Sequence, residues 1–115
     1  MSRIDKINHE LQHQISTIIQ QELSDPRIGF VTVISVSVSA DLRHAKVYFT
    51  SMGDDKQIKD TAETLNSAAG YIRKLLGKRM LIKFIPEIKF IFDDTIQQNE
   101  KIDKALDKIR REENQ

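Results

Sequence analysis

A chain of 115 residues carrying a net charge of +1 is one domain's worth of sequence. It can bury roughly 65% of its unfolded surface, enough for one core and too little for a deep enclosed active site. With no cysteine, a disulfide framework and a thiolate zinc site are excluded, and no apolar run approaches the length of a membrane helix or a signal core, so a soluble cytoplasmic protein is expected.

The first element is a long amphipathic helix. Ile4, Ile7, Leu11, Ile15, Ile18, Ile19 and Leu23 recur at steps of three and four. Ser24-Asp25-Pro26 stops it, because proline cannot continue the hydrogen-bond ladder. Asp25 and Arg27 have a plain local reading, a helix stop with an Asp–Arg contact, beside the alternative that Arg27 meets a partner. Val31 to Ser39 is β-branched and alternating, a strand whose alternation slips at Val33-Ile34 and so predicts a bulge or a change of buried face. Across the short connection Ala40 to Arg43, the alternation Ala45, Val47, Phe49 predicts a second strand antiparallel to the first.

Asp54 or Asp55 is placed to cap the next helix. Its stripe, Ile58, Ala62, Leu65, Ala69, Ile72 and Leu76, runs through Gly70 without a break, and Gly77 reads as its stop. Leu81 to Phe92 reads as a third strand interrupted by Pro86. Two segments result: a domain over 1–94, and a polar tail over 95–115 that is partly helical or disordered, with Ile102, Leu106 and Ile109 as a weak stripe. The order α-β-β-α-(kink)-α-β, with helices on one face of a three-stranded sheet, is an α+β sandwich of two layers.

Charge is the strongest functional signal. Residues 71 to 92 hold Arg73, Lys74, Lys78, Arg79, Lys83 and Lys89 against one acid, Glu87, a local +5, while the rest of the chain sums to −4. One basic face on a near-neutral protein points to a phosphate backbone as partner. Arg73, Lys74, Lys78, Arg79 and Lys83 are the expected docking cations. Arg43 and Lys46 extend that surface, and Tyr71 is a stacking candidate. Ala68-Ala69-Gly70 has two readings: a small-residue patch that lets the helix lie close on the sheet, or a hinge whose exposed N–H groups meet phosphate. The basic residues that follow favour the second.

His9-Glu10-Leu11-Gln12-His13 matches H-E-x-x-H on a helix, a zinc protease pattern. On a helical wheel both histidines fall about 200° from the apolar stripe centred on Leu11, on the face away from the core. A catalytic zinc needs a buried cleft and a third ligand, so solvated histidines are expected, with no metal or other cofactor. The strand serines 35, 37 and 39 lack a nucleophile elbow, and no enzyme activity is expected.

Taken together, several segments resemble one family. They are Arg3-Ile4-Asp5-Lys6-Ile7, Asp25-Pro26-Arg27 with Gly29-Phe30-Val31-Thr32, Asp41 to Val47, Ala68 to Arg73, Leu76-Gly77 and Pro86-Glu87. In this order and spacing, over about residues 3 to 93, the chain resembles the ribosome-binding factor A family, a type II KH-like domain with a small-residue kink in place of the G-x-x-G loop. The resemblance implies a non-enzymatic assembly factor, a monomer, that binds the immature small ribosomal subunit and its rRNA during late maturation and supports growth in the cold. Ribosomal proteins and other assembly factors are implied partners, and no membrane is. The family's Ala-x-Gly kink maps onto Ala68, Ala69 and Gly70. Lacking G-x-x-G, the chain does not inherit the KH clamp on four nucleotides. A general KH-like RNA-binding module and a protein–protein adaptor using the basic face remain the alternatives.

Overall fold

The computed structural model describes residues 2–23, 28 and 30–113, with side chains described for all of these but 96–101 and 113. The predicted helix stop at Ser24-Asp25-Pro26 and the Asp25–Arg27 contact lie outside the described residues. Helix α1 spans Arg3–Glu22 and opens on a capping box: Ser2 Oγ accepts from the Asp5 N–H at 3.1 Å, and the Asp5 carboxylate accepts from the Ser2 N–H at 3.3 Å. Leu11, Ile15, Ile18 and Ile19 are its buried face.

Strands β1 (Val31–Val38) and β2 (His44–Ser51) form the predicted antiparallel hairpin. The slip at Val33-Ile34 is a β-bulge: Val33 opposes Phe49 and Ser35 opposes Tyr48, leaving Ile34 extra and exposed. From α1, Gln12 Nε2 donates to the carbonyls of Ile34 (3.1 Å) and Val33 (3.5 Å), and Asn8 Oδ1 accepts from the Val38 N–H at 3.0 Å. Two amide side chains therefore occupy three backbone groups on the outer edge of β1.

Gly53, at φ +133°, turns the chain into α2 (Asp55–Ser67); an added Cβ there would meet the Gln57 side chain at 2.7 Å. Asp54 is the cap, in a second capping box with Gln57. Helix α3 (Ala69–Arg79) follows after one residue, Ala68, whose φ and ψ of −86° and −2° make the break. Gly77 does not stop α3. The helix runs through it to Arg79, and Met80, extended and buried, is the cap.

The third strand is shorter than the alternation predicts. Residues 81–86 are irregular, and β3 spans only Glu87–Phe92. Proline supplies no N–H for the ladder, and the first rung, Glu87 N–H to the Arg43 carbonyl at 2.8 Å, forms just past Pro86. β3 joins β2 in parallel, so the sheet is mixed, in the order β1-β2-β3. Asn66 on α2 pairs with one residue of the free edge of β3, accepting from the Phe90 N–H at 2.8 Å and donating to its carbonyl at 3.2 Å.

All helices that pack do so on one sheet face. Phe49 is at the centre, edge-on to Phe90 (6.4 Å between centroids) and to Phe92 (5.7 Å). Leu11, Ile15, Ile18, Leu65, Ile72 and Leu76 are fully buried against it. From Thr95 to Glu113 the tail is a continuous helix, α4, and its described side chains from Ile102 to Glu112 are all exposed. No described helix is long and apolar enough to cross a membrane.

Candidate nucleic-acid interface

The cations expected to form one face fall into four groups. Lys74 and Lys78, four residues apart on α3, are exposed, as are Gly70 and Tyr71 one turn earlier. Ile72 and Leu76 point the opposite face of this helix into the core. No acid occurs in α3.

Arg73 and Arg79 flank that buried face and are otherwise engaged. The Arg73 guanidinium donates through Nε to the Pro86 carbonyl (3.1 Å) and through Nη2 to the Ile85 carbonyl (3.0 Å). It holds the irregular segment before β3 in place. Arg79 Nη2 lies 3.3 Å from Glu22 Oε1, tying α3 to the end of α1.

Lys46 does not extend the α3 surface. Alternation along β2 buries Ala45, Val47 and Phe49 against the helices and turns Lys46 to the open face of the sheet, beside Lys89 on β3. The charge run of residues 71 to 92 thus divides among a helix, a loop and a strand, and part of it faces the other way.

Arg43 and Lys83 enter a fourth group, with Arg3, which the charge count did not single out. They line a cleft of about 640 Å³ between the start of α1, the hairpin tip and residues 82–87. Ile7, Val38, Leu42 and Ile82 supply apolar lining. The hairpin tip is tightly held. Asp41 Oδ1 accepts from Ser39 Oγ at 2.6 Å and from the Arg43 N–H at 3.1 Å, while Ser39 Oγ accepts from the His44 N–H at 3.1 Å. The Ser39 hydroxyl, then the Arg43 amide, hold the Asp41 carboxyl below its ordinary value of 3.8. These bonds keep Leu42 in the left-handed region at φ 62°, a conformation that costs a leucine of order 1–3 kcal/mol. Across the cleft Phe84 is 71% exposed, with Lys83 Nζ 5.5 Å from its ring centroid.

At the kink, Ala68 and Ala69 are half-buried and pack on the core, whereas Gly70 is exposed and an added Cβ would meet nothing within 4 Å. The small-residue packing reading therefore holds for the two alanines and not for the glycine. Helix α3 begins with no side-chain cap and no acid in its first turn.

His9 and His13 are exposed, as the wheel predicts, and so is Glu10. Among the described residues no group of three or more His, Cys, Asp or Glu side chains could hold a metal ion. Local patterning does not single out Arg3 and Phe84, because the segments that meet at the cleft are far apart in sequence. Lys89 was counted as charge, but its place beside Lys46 depends on a parallel pairing that local alternation does not reveal.

Comparison with known proteins agrees with this architecture. The family model described as ribosome-binding factor A matches residues 3–106. The ribosome-binding factor A of Halothermothrix orenii is 46% identical over 111 residues, covering 96% of this chain and 91% of that one. A Thermotoga maritima protein solved in solution is 36% identical with a TM-score of 0.69, over 76% of this chain and 83% of that one. A Thermus thermophilus ribosome binding factor A model, fitted into a cryo-electron microscopy map of its 30S complex, shares the fold at a TM-score of 0.63 and 23% identity, over 75% of this chain and 90% of that one. By the family match and the identity of its relatives, the chain belongs to the ribosome-binding factor A family.

Proposed function

We propose that this protein is a non-enzymatic assembly factor that docks on the immature small ribosomal subunit and assists late maturation of its rRNA. The observation that carries the reading is the outer face of α3: Lys74 and Lys78 exposed, on a helix without a single acid, beside a kink that leads into an uncapped helix start. N–H groups of an uncapped first turn favour an anion. Gly70 has no internal reason to be small, which fits close approach of an outside surface. The Thermus thermophilus relative fitted to a map of its 30S complex supports the choice of partner.

Phosphate contacts position a protein without reading sequence. Specificity then comes from the shape of the rRNA and from neighbouring ribosomal proteins. Binding one rRNA conformer better than its alternatives shifts the population toward it, an effect of most use in the cold, when misfolded rRNA is slow to escape. The protein acts as a cytoplasmic monomer in this reading, and later assembly factors release it. The test is co-sedimentation with immature small subunits on sucrose gradients over a range of salt. Contact with about 4–6 phosphates gives a slope of log affinity against log salt of roughly −3 to −5. A flat dependence, or binding that survives nuclease treatment, points to a protein-mediated contact instead.

A further inference from the structure

We infer that the cleft between the start of α1, the hairpin tip and residues 82–87 is a second RNA site, one that receives an unpaired base and its flanking phosphates. The inference rests on the RNA-docking reading above and adds to it a site separate from the outer face of α3.

Four observations converge on the cleft. Its volume of about 640 Å³ lies within the range of small-ligand sites, roughly 300–1,000 Å³. Among the described residues, its cations Arg3, Arg43 and Lys83 make no salt bridge, and Arg73 is committed to two carbonyls; the two acids of the lining are Asp41, hydrogen-bonded by Ser39 and the Arg43 amide, and Glu87, 3.6 Å from His44 Nδ1. Phe84, a ring left 71% exposed, stands at the lining beside Lys83. An exposed ring flanked by cations is the arrangement on which bases stack while their phosphates are neutralised. Lastly, both walls are fixed in advance. One is held by the Arg73 bonds to the Ile85 and Pro86 carbonyls, the other by the Asp41 and Ser39 bonds that keep Leu42 at φ 62°. Strain held in place at a cleft mouth is a feature of preorganised sites. An acidic peptide would be drawn by the cations but has no flat π-face for Phe84. Paired RNA presents no free base, so the occupant is single-stranded.

The test compares two probes: a single-stranded RNA oligonucleotide of about 8 nucleotides, and a fully paired RNA duplex. Phe84→Ala should weaken the single-stranded probe roughly 5- to 100-fold, the size of one lost stack, and leave the duplex unchanged. Phe84→Tyr should restore the single-strand affinity and Phe84→Leu should not, which separates stacking from bulk. Arg43→Ala/Lys83→Ala should reduce the single-strand salt slope by about 1.4, two phosphates' worth. Circular dichroism and thermal melting, unchanged in each variant, confirm the fold. Equal affinities of Phe84→Ala and the parent for the single strand overturn the inference, as does equal weakening of both probes. Binding of poly-glutamate that is lost in Phe84→Ala, with RNA affinity unaltered, makes the cleft a peptide site and likewise overturns it. The docking reading fails on different evidence. Lys74→Glu/Lys78→Glu bound normally to small subunits removes docking by α3 without touching the cleft. A neutral Phe84→Ala removes the cleft without touching docking by α3.

Discussion

Two edges of one helix carry the same charge and put it to different use. On the inner edge of α3, Arg73 bonds two backbone carbonyls and Arg79 pairs with Glu22. On the outer edge, Lys74 and Lys78 are exposed. Arginine's planar fork bonds two carbonyls at once, while lysine is a hydrated point charge on a flexible stem. The difference teaches that a basic run is not a binding surface until its cations are divided into those already bonded and those still solvated.

The largest expected effect is on the outer edge. Lys74→Glu/Lys78→Glu should abolish co-sedimentation with small subunits while stability stays within about ±0.5 kcal/mol, since exposed substitutions rarely do more. On the inner edge the pattern reverses. Arg73→Ala strips two charged hydrogen bonds from the Ile85 and Pro86 carbonyls and should cost about 1.5–3 kcal/mol in denaturant unfolding. Arg73→Lys should recover only part of this. If Arg73→Ala melts like the parent, the contrast between the two edges is wrong.

Neighbouring small residues sharpen the same division. Ala69 packs on the core, so Ala69→Leu should overpack it at a cost of about 1–3 kcal/mol. Gly70, with open space where a Cβ would stand, should accept alanine and gain up to about 1 kcal/mol of helix stability. A Gly70→Ala protein that is more stable yet binds subunits less would show the glycine serving a partner and not the fold. The smallest effect belongs to α4. Truncation after Asp94 should leave the melting temperature unchanged, because the described side chains from Ile102 to Glu112 are exposed.

Acid offers a separate probe of the cleft wall. The Asp41 carboxyl titrates below its ordinary value, so its contribution to the hairpin tip is fully present above 3.8 and lost as pH falls through the lowered value. The His44 amide resonance should report that loss, and Asp41→Asn should remove the titration.

Helix α1, the hairpin, the slip in β1 and an acidic cap at 54 or 55 are legible because each is written in local spacing. Ile34 betrayed the bulge by breaking an alternation of two. Strand parity marks Lys46 as unburied, but only the layer order shows that an unburied side chain on β2 joins the open face of the sheet and not the helix surface. Gly77 reads as a stop in the sequence, but a glycine ends a helix where the chain turns left-handed, and α3 continues through it to Arg79. The cleft was not legible at all. It is assembled from Arg3, Arg43 and Phe84, and no periodicity links residues so far apart.

The amide side chains on the sheet edges have a consequence for how the chain behaves in company. Asn8 and Gln12 occupy outward groups of β1, and Asn66 occupies those of Phe90 on β3. Groups so occupied are not open to a strand from another molecule. All three locks ride on helices, so they close only when α1 and α2 dock. A refolding chain whose sheet forms first presents two open edges until then, and its yield should fall with protein concentration. Asn66→Ala would leave the Phe90 groups open in the finished fold as well, turning a transient hazard into a permanent one.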